Sequence, residues 1–257
     1  MVPIKTRKDL EKMKIGGKIL AEAVLEVLDK AKPGITELEL EKLAEELIVM
    51  KGGYPGFKKV EGYKFATCIS TNDVIVHGIP GNYVLKEGDV FGVDCGVYYE
   101  GFFTDMSETL RVRNPKSEIR NPKLDEVDKF LETGKFALNE AIKKAKAGNR
   151  IGHISKTIQD IVEGKGYSVV RELIGHGVGR RLHEEPEVPG FLVGKIENTA
   201  LLKEGMTIAI EVIYNMGKFG IRYSDDQWTI RTQDGSLSGL FERTVAITKN
   251  GPVVLTR

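Results

Sequence analysis

The sequence predicts an α/β protein built from two similar halves that face each other across a shared site. Three observations point there. First, a helix–break–helix pattern appears twice. Second, Lys30-Ala31-Lys32-Pro33-Gly34 at the end of one long helix matches Lys144-Ala145-Lys146-Ala147-Gly148 at an offset of 114 residues. Third, Leu85-Lys86-Glu87-Gly88 before one strand matches Leu202-Lys203-Glu204-Gly205 before another at an offset of 117. Two matches at nearly one offset indicate an internal duplication, and the period is far too long for a solenoid.

The first half spans residues 6–112 of a single domain, 1–257. From about Thr6 to Lys32, Leu10, Met13, Ile19, Leu20, Ala23, Val24, Val27 and Leu28 recur at intervals of three and four, which predicts a helix. Pro33-Gly34 ends it. A second helix runs from about Thr36 to Lys51, with Thr36 as N-cap and Glu39 completing a capping box. Strands follow at Thr67–Ser70, Val90–Tyr99 and Phe102–Val112. The polar, proline-punctuated stretch Arg113–Glu126 reads as the linker. The second half, 124–257, opens with helices at Leu124–Lys146 and about Ile151–Lys165.

With 257 residues, the chain is long enough for a substantial buried core. Its net charge of +1 produces no field that would draw it to nucleic acid or a membrane. Cys68 and Cys95 form no CxxC pair, so neither a disulfide framework nor a zinc knuckle is legible. That usage suits a reducing cytoplasm. The basic N-terminus lacks the apolar stretch of a signal peptide, and no run approaches the roughly 18 apolar residues of a membrane span. A cytoplasmic protein is expected.

The chemistry begins with Asp94 and Asp105. VFGVDCGVYYEGFFTDMSETL reads as a hairpin turning near Tyr99-Glu100-Gly101. If Tyr99 and Glu100 form the turn, Asp94 lies opposite Asp105. If Glu100 and Gly101 form it, Asp94 faces Ser107 and Asp105 sits one pair away. In both registers the carboxylates share a face, because side chains alternate with period two. Like charges that close are destabilising unless one is protonated or a cation lies between them. The plainer alternative puts both on a solvated sheet face. Glu211 lies in the apolar strand TIAIEVIYN, and a buried carboxylate without a partner is costly. Glu242, in GLFERTVAIT, has an ordinary salt bridge as its plainer reading, and its strand argues less strongly against surface placement than that of Glu211.

The chain has four histidines. His176 lies in IGHGVGRRLHEEP, where Gly175, Gly177 and Gly179 predict an irregular, close-packed segment rather than a helix. His183 follows seven residues later. His77, in VIVHGIPG, ends an apolar strand. His153, near a helix start, reads as structural. Four carboxylates and one imidazole make a hard, oxygen-rich set that suits Mn, Fe, Co or Zn ions bridged by carboxylates. Paired ions are a known hydrolytic device.

Together these residues resemble the type I methionine aminopeptidases. The resemblance is carried by Asp94 and Asp105, by GHGVGRRLHEEP, by Glu211 and Glu242, and by TCISTNDVIVHGIP around His77, and it extends over essentially the whole chain. It implies the pita-bread fold, two pseudo-symmetric halves around a mainly antiparallel central sheet. It implies two divalent ions, Co, Mn, Fe or Zn, held by Asp94, Asp105, His176, Glu211 and Glu242, with Asp105 and Glu242 bridging. It makes His77 and His183 the two non-ligand active-site histidines, and sets Tyr63, Cys68 and Trp228 around the methionine pocket. The implied reaction is metal-assisted hydrolysis. Glu211 takes a proton from a water whose pKa the ions lower, and passes one to the leaving amine. His183 steadies the developing oxyanion and His77 lies near the leaving nitrogen. The partner is the N-terminus of a nascent polypeptide with a small second residue, and a monomer is expected. Lys58-Lys59, Lys143-Lys144 and Arg180-Arg181 are candidate ribosome-facing pairs. This sequence departs from the family's commonest pattern in AIEVIYN, where many members have IEP, and in longer segments at KGGYPGFKKVEGYKF and FLVGKIENTALL.

Three rival readings follow from the same residues. Xaa-Pro aminopeptidases and prolidases share the fold but usually carry an extra N-terminal domain, whereas this chain reads directly into the first helix. A non-catalytic peptide-binding module of this fold loses the ligands, and all five are present here. A plain α/β protein with surface acids is separated from these by metal analysis.

Overall fold

The computed structural model describes residues 2–114 and 122–257. Helix α1 (Arg7–Lys30) starts at a reciprocal cap. The Asp9 N–H donates to the Thr6 hydroxyl and the Thr6 N–H donates to the Asp9 carboxylate. Helix α2 (Glu37–Met50) repeats the device with Thr36 and Glu39, as the spacing predicts. After them come β1 (Tyr54–Pro55), β2 (Thr67–Thr71), β3 (Val74–Val76), β4 (Val90–Tyr99) and β5 (Phe102–Arg111). The second half comprises α3 (Pro122–Lys144), α4 (Ile151–Gly164), β6 (Ser168–Val169), β7 (Gly175–Gly177), β8 (Glu184–Val188), β9 (Thr207–Asn215), β10 (Ile221–Tyr223), β11 (Ile230–Thr232), β12 (Ser238–Thr248) and β13 (Gly251–Val254). Of the expected linker, residues 115–121 lie outside the described residues. The helix takes up the rest from Pro122, a position where the missing proline N–H costs nothing.

One antiparallel sheet runs in the order β1-β4-β5-β12-β9-β7-β8, with β2 on β4, β6 on β9 and β13 on β12. The central pairs β4–β5 and β9–β12 carry long ladders, and β5 meets β12 between them. That seam has little backbone ladder and is reinforced by side chains. The Thr244 hydroxyl accepts from the Asp105 N–H and donates to its carbonyl, both at 2.8 Å. The Thr109 hydroxyl does the same for Leu240, at 3.2 and 2.7 Å. A small sheet, β10-β11-β3, stands apart.

Period-two alternation sorts the central sheet into two faces. Phe91, Val93, Cys95 and Val97 of β4, with Met106 of β5, pack with Leu20, Val24 and Val27 of α1 and Leu40 and Ile48 of α2. Ile208, Ile210, Val212 and Tyr214 of β9, with Phe241 and Val245 of β12, pack with Phe130 and Leu138 of α3 and Ile154, Ile158 and Val162 of α4. Each large apolar side chain fully buried there contributes about 1.5–3 kcal/mol. Each half thus has a helix pair and an apolar cluster of its own, in the pita-bread arrangement. Residues of the opposite parity on these four strands face away from the helices. Asp94, Asp105, Glu211 and Glu242 all have that parity.

Candidate metal centre

Glu100 and Gly101 join β4 to β5 with φ of 44° and 91°. Both are left-handed, as a two-residue hairpin turn requires. Tyr99 pairs with Phe102, so Asp94 faces Ser107 and Asp105 faces Gly96. The structure therefore takes the staggered of the two registers open to the sequence. Glu211 and Glu242 are direct cross-strand partners on β9 and β12, and Glu242 also faces Ser107 across the seam. His176 pairs with Ala209, which puts it on the same face as Glu211. Its Nε2 lies 3.5 Å from Glu211 Oε1 and 4.0 Å from Asp105 Oδ2. One donor atom each from Asp105, His176 and Glu242 lie within 4.8 Å of one another.

Four carboxyl groups this close in a buried site resist ionisation. Burial pushes Asp94 up to about 7. Burial, then Asp94 and Glu211, hold Asp105 well above the usual carboxylate range. Burial and then Asp94 do the same to Glu211. Glu242 is raised by burial and by Asp105, Glu211 and Asp94, with the Arg243 guanidinium opposing. His176 falls to about 4 through burial and, next, His183. Its Nδ1 lies 2.9 Å from the Gly177 carbonyl, which can only accept, so Nδ1 carries the proton and Nε2 keeps its lone pair for the acids. Asp94 Oδ1 and Glu242 Oε1 are buried without a hydrogen-bond partner among the described residues. Unsatisfied buried oxygens of this kind are costly, and a divalent cation is the partner that would satisfy both. The donor set fits one.

The burial order of the two glutamates reverses the expectation. Glu242 is 2% exposed, while Glu211 is the less buried of the two, with 12% of its side chain exposed. β12 is hydrogen-bonded on both sides by β5 and β9, whereas Glu211 looks onto open space. That space is a cavity of about 580 Å³, lined by all five of these residues together with His77, His183, Tyr63, Cys68 and Trp228. His77 holds a left-handed φ of 55°, a strained backbone of the sort that persists where surrounding structure enforces it. The His183 ring stands edge-on to that of His176 with centroids 4.4 Å apart. Cys68 pairs with Asp94 across β2–β4 and donates to the Tyr63 hydroxyl at 3.2 Å. That hydroxyl donates in turn to the Thr67 carbonyl at 2.7 Å. The Trp228 ring lies 5.1 Å from the Tyr63 ring. His153 lies elsewhere and accepts from the Arg150 N–H at the start of α4, a structural role.

The cavity also has apolar walls that sequence reasoning missed, formed by Phe57, Leu173, Leu182 and Ile213. Two of these were open to inference. Ile213 lies two residues from Glu211 on one strand face, and Leu182 adjoins His183. Phe57 and Leu173 lie in irregular segments where no periodicity marks them.

Residues 11–229 match the model of metallopeptidase family M24. The chain belongs to this family. A methionine aminopeptidase of Clostridium perfringens is 41% identical over 256 residues, covering 100% of this chain and 99% of that protein. The crystal structure of methionine aminopeptidase from Thermotoga maritima superposes with a TM-score of 0.93 at 39% identity, each chain covered completely. A prolidase from Pyrococcus horikoshii shares the fold, with a TM-score of 0.76 at 24% identity, and this chain spans 63% of its length. As an M24 metallopeptidase the protein is a hydrolase that uses divalent metal, and the carboxylate–histidine cluster is its candidate metal centre. Among the described residues no helix is long and apolar enough to cross a membrane.

Proposed function

We propose that this chain is a methionine aminopeptidase, removing the N-terminal methionine of polypeptides whose second residue is small. One observation carries the reading: a hard ligand set and an apolar, sulfur-bearing pocket line the same cavity. Full-length relatives that bear the same name support it. The prolidase reading has less support, resting on a likeness in fold.

Asp94, Asp105, His176, Glu211 and Glu242 would hold the divalent metal, two ions drawn from Mn, Fe, Co or Zn. Ions bound there supply Lewis acidity, which lowers the pKa of water and polarises the scissile carbonyl. Glu211 accepts a proton from the attacking water and returns one to the leaving amine. His183 donates a hydrogen bond to the oxygen on which charge develops. His77 contacts the region of the leaving nitrogen, where crowding excludes a long second side chain. Tyr63, Cys68 and Trp228 receive the methionine thioether, a soft group suited to aromatic and thiol walls. Residues 6–112 and 124–257 act as the halves of one catalytic domain, as a monomer, on nascent chains in the cytoplasm. Two unpaired thiols, Cys68 and Cys95, fit that reducing compartment. Lys58-Lys59, Lys143-Lys144 and Arg180-Arg181 are the groups offered to the ribosome.

Peptide hydrolysis tests the reading. With metal supplied, Met-Ala-Ser and Met-Gly peptides should be cut after methionine, while Met-Lys and Met-Leu peptides remain nearly inert. Equal rates for the two sets, or preferred cleavage of Xaa-Pro bonds, would overturn it.

A further inference from the structure

Lys5 belongs to the arm that precedes α1, yet its ammonium is buried. Its Nζ lies 2.5 Å from Glu184 Oε2, with the two side chains 3% and 1% exposed. The arm is pinned by the Lys5 N–H, which donates to the Gly205 carbonyl at 2.7 Å. The other Glu184 oxygen accepts from the Arg181 N–H at 3.1 Å. Gly179 makes room for the lysine, since a Cβ there would lie 2.3 Å from Lys5 Cε. The loop between Gly177 and Glu184 is closed at its base by the pairing of those two residues. Its interior is closed by the ion pair. A buried ion pair gains little stability over apolar packing, because desolvation offsets most of the attraction. What it supplies well is fixed geometry, and the residue adjoining Glu184 is His183, whose ring must be aimed into the cavity.

We propose that Lys5 is a positioning residue: through its ion pair with Glu184 it locks the Gly177–Glu184 loop and so aims His183 at the reacting bond. The inference rests on the role given to His183 above. It makes Lys5, which does not line the cavity, a support for a residue that does.

A double-mutant cycle tests it. Lys5→Met combined with Glu184→Gln removes both charges together, leaves no lone buried ion, and keeps an amide oxygen for the Arg181 N–H. In the parent, kcat on Met-Ala-Ser should fall by about tenfold to a hundredfold, the scale of a misaimed group, with KM and bound metal unchanged. In a His183→Ala background the same pair should cost less than about twofold, because groups acting through one another are not additive. Should the double variant lose its folded circular-dichroism signal, Glu184→Asp, which keeps both buried charges but shortens the reach of the pair, carries the same cycle. An equal loss in both backgrounds, or no loss in the parent, would overturn the proposal. A His183→Ala enzyme with parent turnover would instead remove the role of His183, and the proposal with it.

Discussion

The two halves build the same scaffold and load it differently. In the first, a tight hairpin staggers two short carboxylates, Asp94 and Asp105. In the second, two longer ones, Glu211 and Glu242, stand directly opposite each other. The outer neighbours differ more. Beside β4, strand β2 presents Cys68, hydrogen-bonded to Tyr63. Beside β9, strand β7 presents His176 with its Nε2 turned toward Glu211 and Asp105, and the loop after it carries His183. One flank reads as pocket wall and the other as ligand and hydrogen-bond donor. Strand alternation in both halves thus puts four acids on one face, and the two halves differ in what flanks those acids.

Substitutions on the second half should cost most. Glu211→Gln keeps an oxygen toward the metal but cannot take a proton, so turnover at saturating metal should fall by about 10²–10⁴-fold. Glu211→Ala should lose metal as well. Near-parent turnover of the Gln variant would leave Glu211 a ligand only. Next comes the contrast between neighbouring histidines. His183→Ala should lose about 10²–10³-fold in rate with metal content intact, whereas His176→Ala should weaken metal binding itself. The opposite pattern in bound-metal assays would mean the roles are exchanged.

The first half's flank should respond more mildly. Cys68→Ala enlarges the pocket by little more than one sulfur, so KM for Met-Ala-Ser should rise by about tenfold while metal stoichiometry stays the same. A loss of metal in that variant would break the distinction between the flanks.

The sequence carries the site unevenly, for physical reasons. Alternation alone put Asp94 and Asp105 on one face whichever residues formed the turn, and glycine spacing marked the segment around His176. Both signals are local. Glu242 was harder, because its burial comes from β5, which lies more than a hundred residues away and meets it at a seam of few backbone bonds. The partners Lys5 and Glu184 are 179 residues apart, and no periodicity links them. In the small sheet β10 and β11 pair locally, as a hairpin, but β11 pairs with β3, more than 150 residues away in sequence.

A smaller, continuous effect concerns pH. Asp94 is raised to about 7 and Asp105, Glu211 and Glu242 lie well above their ordinary values, so the metal-free fold holds protons that the unfolded chain releases. That stability is present at low pH and is lost as pH rises through the folded values. His77, His176 and His183 are lowered and act in the opposite sense, but only below the ordinary histidine value of 6.5. Above that value these histidines no longer oppose the carboxylates. Thermal melts in chelator should therefore show Tm falling as pH is raised from 6.5, and melts with manganese should not. Parallel curves would contradict it.

The central claim is that the four acids and His176 are held together by two cations on which hydrolysis depends. Calorimetric titration of chelator-treated protein with manganese, run alongside turnover of Met-Ala-Ser, tests it most directly. The account predicts two ions bound per chain, with activity absent at the start and rising as the sites fill. Full turnover before any metal is added would contradict it.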